Sequence, residues 1–157
     1  MKPTLVQYEA DGWGVGELWL DEQGRVFHSE LPRPKRQTSV RRASDVGHEL
    51  ARRLETWFEG APDDLLDVPL VLPSGFHGEC AKALRATKRG EVVTYGELAA
   101  LAGRPRAARA AGTFCARCDL APFLPVHRVI SSNGIGSWGG LGVDYKRRLL
   151  ELEGVAL

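Results

Sequence analysis

The hydrophobic pattern of this chain changes its period partway along, and the change limits the folds that the chain can adopt. Up to residue 31 the pattern is strand-like and interrupted by turn residues. The segments 12–20 and 25–31 flank Gln23-Gly24, an arrangement that predicts a β-hairpin. We expect Pro32 and Pro34 to end the second strand, because proline cannot donate a ladder hydrogen bond.

From Ser44 onward the pattern becomes helical. Apolar residues recur at the spacing of one helix face as far as Phe58, with Ser44 as a suitable N-cap and Gly60 as a suitable C-cap. The basic residues 33–42 between the two patterns predict a solvated loop. Strands followed by helices predict an α+β fold, in which a small β-rich N-terminal domain ends with a helix.

A stretch with three prolines, residues 61–75, separates the two halves of the chain. We expect a linker there, with an extended segment at 68–72, and we place a domain boundary near residue 73. The boundary divides an N-terminal domain, residues 1–72, from a C-terminal domain, residues 73–157. The 157 residues suffice for two small modules.

The charges are unevenly divided, although the formal net charge is only +1. Residues 1–72 carry 9 Lys and Arg against 13 Asp and Glu, whereas residues 73–157 carry 12 against 7. The net positive charge of residues 73–157 is typical of a segment that binds a polyanion. The alternative is an uneven surface charge that has no binding partner.

Nothing in the sequence indicates a membrane or a secreted protein. No stretch approaches the roughly 20 apolar residues that span a bilayer, and the N-terminus lacks the apolar run of a secretory signal. The three cysteines are an odd number and do not suggest a disulfide framework. We therefore expect a cytoplasmic protein.

The second half predicts four helices, at residues 75–87, 95–101, 105–112 and 143–153. Thr94 is expected to cap the second of them with Glu97 in a capping box, and Pro105 to begin the third. A helix, a glycine-containing turn and a basic helix form the helix-turn-helix pattern, which is weak evidence for DNA binding by itself. In the last helix we expect Lys146-Arg147-Arg148 to lie on the exposed side.

The segment Pro125-Val126-His127-Arg128-Val129-Ile130 carries the most information. It strongly resembles the Pro-Cys-His-Arg-Val signature of the O6-alkylguanine-DNA alkyltransferases, with Val126 at the position of the nucleophilic cysteine. Four further segments resemble the family in the same order: 90–99, 104–112, 139–141 and 149–154. The N-terminal half resembles the family's small ribonuclease-H-like domain only in size, hairpins and trailing helix.

The resemblance implies a particular chemistry and the loss of one part of it. Members of the family transfer an alkyl group from O6 of a flipped-out guanine to a cysteine thiolate, which a histidine and a glutamate help to form. His127 and Glu153 occupy those two positions, whereas Val126 has no lone pair and no ionisable proton. We therefore expect no catalytic residue and no enzyme activity, with the His127–Glu153 network retained for pocket geometry.

The resemblance also implies a DNA-binding surface and a pocket. Arg109 matches the family's arginine finger, which fills the gap left by the flipped base, and Tyr95 matches the tyrosine that helps to rotate the nucleotide outward. The expected DNA-binding residues are Thr94, Tyr95, Arg104, Arg106, Ala107, Arg109, Ala110 and Arg128. The expected alkylguanine pocket residues are Tyr95, Val126, Val129, Ser137, Trp138 and Gly139.

The sequence departs from the family pattern in ways that leave the pocket's shape open. Cys118-Asp119 replaces an Asn-Pro pair, the loop between Val129 and Gly139 is shorter, and Trp138 lies near the position of a tyrosine. Cys115 and Cys118 form a single Cys-x-x-Cys pair, a weak signal for zinc or for redox use. We expect neither a metal nor a cofactor.

Three functional hypotheses follow. The first is a protein that resembles the non-enzymatic alkyltransferase-like proteins, binds double-stranded DNA containing O6-alkylguanine and flags the damage for nucleotide-excision repair proteins. The second is an enzyme, either an active alkyltransferase that uses a displaced cysteine, Cys115 or Cys118, or a protein with another base-directed activity. The third is a non-specific DNA-binding or protein-interaction module. Under the first hypothesis we expect a monomer, associated with the nucleoid when bound to DNA.

Overall fold

The computed structural model describes residues 2–34 and 45–157 and has an α+β architecture, as predicted. By contacts it divides into two units. The first runs to Val71 and takes in Asp119–Phe123, and the second comprises Leu72–Cys118 and Leu124–Leu157. We expected a single boundary between residues 72 and 73. We did not expect residues 119–123 to belong to the first unit.

The first unit contains a three-stranded antiparallel sheet in the order β1-β2-β3. Its strands are β1 (Thr4–Ala10), β2 (Gly14–Leu20) and β3 (Val26–Arg33). The predicted hairpin is confirmed, because β2 and β3 pair through Leu20 and Val26 across the turn. The Asp21 carboxylate stabilises that turn by accepting hydrogen bonds from the backbone N–H groups of Gln23 (2.9 Å) and Arg25 (2.8 Å).

Two features of this sheet differ from the prediction. The strand β1 lies in the region with a strand-like pattern, but no separate strand was predicted there. The strand β3 continues through Pro32 to Arg33, although we expected the proline to end it. Because β3 pairs with one other strand of the sheet, β2, Pro32 lies on an edge strand, where a missing N–H is tolerated.

One helix, α1 (Asp45–Trp57), packs against β1 in the first unit. The Phe58 ring lies 5.1 Å from the Trp13 ring and 6.1 Å from the Tyr8 ring, centroid to centroid, and forms the centre of an aromatic core. The predicted Ser44 cap and residues 35–42 of the predicted loop lie outside the described residues.

The segment Asp119–Phe123 is attached to β3. The backbone N–H of Ser29 donates to the carbonyl of Asp119 (2.7 Å), and the Ser29 hydroxyl donates to the carbonyl of Ala121 (2.7 Å). These long-range bonds satisfy polar groups on the edge strand, and nothing in the local pattern of residues 119–123 indicates them.

The second unit consists of four helices and a short parallel pair of strands, β4 (Val93–Thr94) and β5 (Val129–Ile130). The helices are α2 (Gly75–Arg85), α3 (Tyr95–Leu101), α4 (Ala108–Arg117) and α5 (Val143–Leu152). All four were predicted, although α4 is displaced along the chain. Their buried faces supply the core, which includes Cys80, Leu84, Leu98, Phe114, Leu149 and Leu150.

Among the described residues, no helix combines the length and the apolar character needed to cross a bilayer.

Two helical glycines of the second unit give a matched test of its packing. A Cβ at Gly78 would lie 2.4 Å from the carbonyl oxygen of Pro73, whereas a Cβ at Gly96 would have the Thr94 hydroxyl as its nearest neighbour, at 4.0 Å. We expect Gly78→Ala to lower the free energy of unfolding by about 1–3 kcal/mol through overpacking, and Gly96→Ala to raise it by about 0.5–1 kcal/mol. Urea unfolding of both variants measures this, and equal effects would contradict the close approach at Gly78.

Candidate functional site

The helix α3 begins at a reciprocal cap. The Thr94 hydroxyl accepts a hydrogen bond from the backbone N–H of Glu97 (3.1 Å), and the Glu97 carboxylate accepts one from the backbone N–H of Thr94 (2.9 Å). These bonds satisfy two of the helix's free N–H groups. The predicted capping box is therefore confirmed, and it fixes where Tyr95 leaves the strand β4 and enters the helix.

The helix α4 corrects the predicted boundaries of 105–112. The backbone N–H of Ala107 donates to the carbonyl of Arg104 (2.9 Å), so Pro105 lies inside a turn and not at the first position of a helix. The helix starts at Ala108 and continues past Gly112, because Phe114 is buried and its ring packs against His77. This extension places Cys115 on the helix.

The turn and the first residues of α4 present a basic surface. Arg104, Arg106 and Arg109 are exposed, whereas Ala107 and Ala110 between them are half-buried. The Arg104 guanidinium also lies 5.5 Å from the centre of the Phe76 ring. Arginines above small residues allow a helix to approach an anionic surface closely.

The strand pair β4–β5 connects this region to the signature segment. Val93 pairs with Val129, and Thr94 pairs with Ile130. Since Tyr95 follows Thr94 and Arg128 precedes Val129, the ladder holds the start of α3 beside the signature. Val126, His127 and Arg128 themselves form a single turn of 3₁₀ helix.

A buried network centres on the carboxylate of Glu153. His127 Nε2 lies 2.8 Å from Glu153 Oε1, and Arg128 donates from Nε to Oε1 (2.9 Å) and from a terminal nitrogen to Oε2 (2.6 Å). The other terminal nitrogen of Arg128 donates to the carbonyl (2.9 Å) and the hydroxyl (3.1 Å) of Thr87. His127 is fully buried, and Glu153 and Arg128 are nearly so.

This arrangement revises the expected DNA contact of Arg128. Its guanidinium binds Glu153 and Thr87 inside the unit, and only 8% of the residue is exposed. A phosphate group would have to displace a buried carboxylate to reach it. We therefore assign Arg128 to the internal network.

The network sets the protonation of its members. Burial alone would raise the pKa of Glu153, but hydrogen bonds from Arg128 and His127 hold it at about 2. Burial lowers the pKa of His127 and outweighs the opposing effect of Glu153. The neutral imidazole therefore donates from Nε2 to an ionised carboxylate, and Nδ1 carries the lone pair that could accept a proton.

Val126 is next to His127 in the chain, and its side chain has no proton that the imidazole could remove. Its side chain is 5% exposed, and its backbone N–H donates to the carbonyl of Leu124 (2.8 Å). The neighbouring pocket candidate Val129 is fully buried. A base without a proton donor cannot activate a nucleophile at this position.

Lys146 is a residue of the site that the sequence analysis placed wrongly. It is 1% exposed, although we expected it on the outer side of α5. Its ammonium lies 6.0 Å from the centre of the Tyr95 ring and 5.8 Å from that of Trp138, and donates to the carbonyl of Ser137 (3.3 Å). Burial lowers the pKa of Lys146 to about 8.

The predicted pocket residues surround this ammonium in part. Tyr95 and Trp138 are half-buried, whereas Ser137 and Gly139 are exposed. Burial raises the pKa of the Tyr95 hydroxyl, with Cys115 adding to the rise and a hydrogen bond with Ser137 opposing it. The structure thus brings Tyr95, Ser137 and Trp138 together around Lys146.

The two remaining cysteine candidates lie at the end of α4. Burial raises the pKa of the Cys115 thiol to about 12, with Cys118 adding to the rise and Lys146 opposing it. A thiol with that pKa is a poor source of thiolate at neutral pH. Within residues 2–34 and 45–157, no group of three or more His, Cys, Asp or Glu side chains is arranged to hold a metal ion.

Comparison with known proteins gives a consistent result. Residues 75–155 match the family model described as 6-O-methylguanine DNA methyltransferase, DNA binding domain. The chain is 38% identical over 136 residues to the methylated-DNA–protein-cysteine methyltransferase of Metallosphaera sedula, a match that covers 86% of this chain and 84% of that protein.

Solved structures extend the similarity over nearly the whole chain. The O6-methylguanine methyltransferase of Mycobacterium tuberculosis superposes with a TM-score of 0.80 at 26% identity, covering 97% of this chain and 93% of the other. The structure of the Mycobacterium tuberculosis OGT in complex with DNA superposes with a TM-score of 0.76 at 29% identity, covering 96% and 92%.

The buried network gives a test of stability and its pH dependence. We expect Glu153→Gln to lower the free energy of unfolding by about 3 kcal/mol, because Arg128 would lose its buried partner. The exposed Glu151, in the last turn of α5, supplies the control Glu151→Gln, with an expected effect within about 0.5 kcal/mol.

The same two proteins should also differ in how their stability changes at acidic pH, because the pKa of Glu153 is lowered. Its folded value of about 2 lies below the ordinary value of 4.5, so its stabilisation is complete above pH 4.5 and is lost as the pH falls towards 2. Urea unfolding from neutral pH to about pH 3 should therefore show a smaller loss for Glu153→Gln than for the unchanged protein. An equal loss in both would contradict the network.

Proposed function

The chain belongs to the O6-methylguanine-DNA methyltransferase family, and from that premise we propose that it is a non-enzymatic DNA damage recognition protein. It binds O6-alkylguanine flipped out of duplex DNA, transfers no alkyl group, and flags the lesion for nucleotide-excision repair. One observation carries the proposal: Val126 is buried next to His127, which contacts Glu153. The resemblance of its segment to the family signature places Val126 at the position of the nucleophilic cysteine.

The chemistry of position 126 supports the absence of transfer. Alkyl transfer requires a nucleophile with a lone pair, and a valine side chain has only C–H and C–C bonds. His127 keeps a basic nitrogen, but with no thiol to deprotonate it contributes shape and hydrogen bonding alone. Binding of the lesion is therefore reversible.

The basic start of α4 supports a DNA partner. Arg104 and Arg106 contact phosphates, the small Ala107 and Ala110 allow close approach in the minor groove, and Arg109 enters the base stack. Thr94 and Tyr95, at the start of α3, contact the backbone of the flipped nucleotide. A plug that replaces lost stacking lowers the cost of flipping, which is a few kcal/mol and smaller for a damaged pair.

The proposed biological role is to mark damage. A protein that holds O6-alkylguanine without consuming it shields the base and exposes a distorted duplex to nucleotide-excision repair proteins. We propose that a monomer binds, in the cytoplasm and at the nucleoid, with a strong salt dependence that arises from the phosphate contacts. The DNA complex of the similar Mycobacterium tuberculosis OGT supports the DNA partner.

A comparison of duplexes tests lesion recognition. We expect the protein to bind a duplex with one O6-methylguanine about tenfold or more tightly than the matched guanine duplex, because the damaged pair costs less to open. Fluorescence anisotropy at a stated salt concentration measures both affinities. Equal affinity for the two duplexes would remove the lesion-sensing function.

A matched pair of arginine variants tests insertion into the base stack. We expect Arg109→Ala to abolish the preference for O6-methylguanine while general DNA affinity falls only modestly. Arg117, exposed at the other end of α4, provides the control Arg117→Ala, which should keep the preference. A uniform loss of affinity for both duplexes in Arg109→Ala would indicate simple phosphate contact and a non-specific module.

Restoring the cysteine tests the retained machinery. We expect Val126→Cys to gain the mass of one methyl group after incubation with O6-methylguanine DNA, since His127 can then deprotonate a thiol. Intact and peptide mass spectrometry locates the group. The unchanged protein is the control, and a methyl group on its Cys115 or Cys118 would contradict the non-enzymatic assignment and establish a displaced nucleophile.

A further inference from the structure

The aromatic ring of Phe76 lies beside the basic surface of the second unit. Phe76 is half-buried in the first turn of α2, and the guanidinium carbon of Arg104 lies 5.5 Å from the centre of its ring. A guanidinium within about 6 Å of a ring centre is attracted to the ring face. Among the side chains that the structure describes, Arg106 and Arg109 of the same surface have no such contact with a ring.

Hydrogen bonds fix the backbone of Arg104 on both sides. Its N–H donates to the carbonyl of Ala99 (2.9 Å), and its carbonyl accepts from the N–H of Ala107 (2.9 Å). The side chain is therefore the part of the residue that can still move. An exposed arginine has many rotamers, and binding a phosphate selects one of them at an entropic cost.

The start of α2, which carries Phe76, is closely packed. The neighbouring ring of His77 meets the Phe114 ring of α4 edge to face, with 5.8 Å between the ring centres. The backbone at Gly78 lies so near the preceding chain that an added Cβ would be 2.4 Å from the carbonyl oxygen of Pro73. These contacts attach the first turn of α2 to its surroundings, so the ring of Phe76 offers a fixed surface.

Contact with the ring leaves the hydrogen-bonding capacity of Arg104 free. The ring attracts the positive charge of the guanidinium, whereas the N–H groups point outwards in the plane of the guanidinium. Among the side chains that the structure describes, no carboxylate forms an ion pair with Arg104. Its N–H groups can therefore donate to the oxygens of a phosphate while the contact with Phe76 persists.

We propose that Phe76 is a positioning residue for DNA binding, whose ring holds the Arg104 guanidinium in the orientation from which it binds a backbone phosphate. Because the arginine is ordered before the DNA arrives, less rotamer entropy is lost on binding. A phosphate contact carries no sequence information, so the contribution is the same for damaged and undamaged duplexes. The inference rests on the proposed function for its DNA partner, but it does not require the preference for O6-alkylguanine.

The test measures affinities for the O6-methylguanine duplex and the guanine duplex at several salt concentrations. We expect Phe76→Leu to weaken binding of both about two- to fivefold, the loss of one exposed cation–π contact, and to keep their ratio. Phe76→Tyr retains an aromatic face and should bind as the unchanged protein does. Arg104→Gln should reduce the slope of log affinity against log salt concentration by about 1, because one phosphate contact is lost.

Two double variants distinguish positioning from a general effect on the fold. In the Arg104→Gln background, Phe76→Leu should have no further effect, because the partner of the ring is absent. In the Arg106→Gln background it should still weaken binding about two- to fivefold, because Arg106 lies in the same turn and Arg104 is intact. An equal effect of Phe76→Leu in the two backgrounds, or none in the single variant, overturns the inference.

The outcomes separate this inference from the proposed function. If both duplexes bind equally and Phe76→Leu is coupled to Arg104, lesion recognition fails and the positioning role stands. If the O6-methylguanine duplex is preferred and the coupling is absent, lesion recognition stands and the positioning role fails. Binding of neither duplex contradicts both.

A measurement on the unchanged protein keeps the test decisive if Phe76→Leu does not fold. The ring current of Phe76 should move the Cδ proton resonances of Arg104 upfield of those of Arg106 in the NMR spectrum. The displacement should persist when the guanine duplex is added, because the contact with the ring is kept in the complex. Resonances that lack this displacement, or lose it on binding, contradict the positioning role.

Discussion

The buried ion pair between Arg128 and Glu153 holds together the segments that make the candidate site. Glu153 follows the end of α5, Arg128 belongs to the 3₁₀ turn, and Thr87 follows α2, so three distant parts of the chain meet at one guanidinium. Two charges removed from water must compensate each other closely, and this requirement fixes the positions of all three segments. His127, which shares the carboxylate, is oriented by the same constraint.

Under the proposed function, this constraint explains how the arrangement of His127, Arg128 and Glu153 is kept without a nucleophile beside it. Val126 is an apolar side chain in a buried position, and a hydrocarbon there satisfies the packing at no electrostatic cost. Glu153 cannot be replaced so easily, because its removal would leave the buried Arg128 without its carboxylate partner. The histidine, the carboxylate and the arginine are therefore retained by the stability of the fold, whether or not any thiol is present.

The sequence predicted those parts of the structure that local chemistry determines. The hairpin, the cap at Thr94 and the α2, α3 and α5 helices follow from turn residues, capping groups and apolar spacing. The return of residues 119–123 to the edge strand depends on long-range hydrogen bonds, which no local pattern carries. The start of α4 was misplaced because Pro105 suits a turn as well as a first helical position.

The burial of Lys146 follows from the periodicity of α5. Lys146, Leu149, Leu150 and Glu153 recur at the spacing of one helix face, and all four are buried. Reading the three consecutive basic residues as one solvated group hid this periodicity. The resemblance suggested Tyr95, Ser137 and Trp138 as pocket residues, but their arrangement around the Lys146 amine depends on the tertiary fold.

The two-residue ladder between β4 and β5 affects whether the protein or the DNA deforms when they bind. It joins the capped start of α3 to the strand that leaves the signature segment, so these parts form one stiff frame. Under the proposed function, the DNA therefore deforms more than the protein does on binding. The energy of that deformation depends on the base steps of the DNA. The same adduct would be held for longer where the flanking steps unstack easily, so the neighbourhood of a lesion, as well as its chemistry, would decide how long it stays marked.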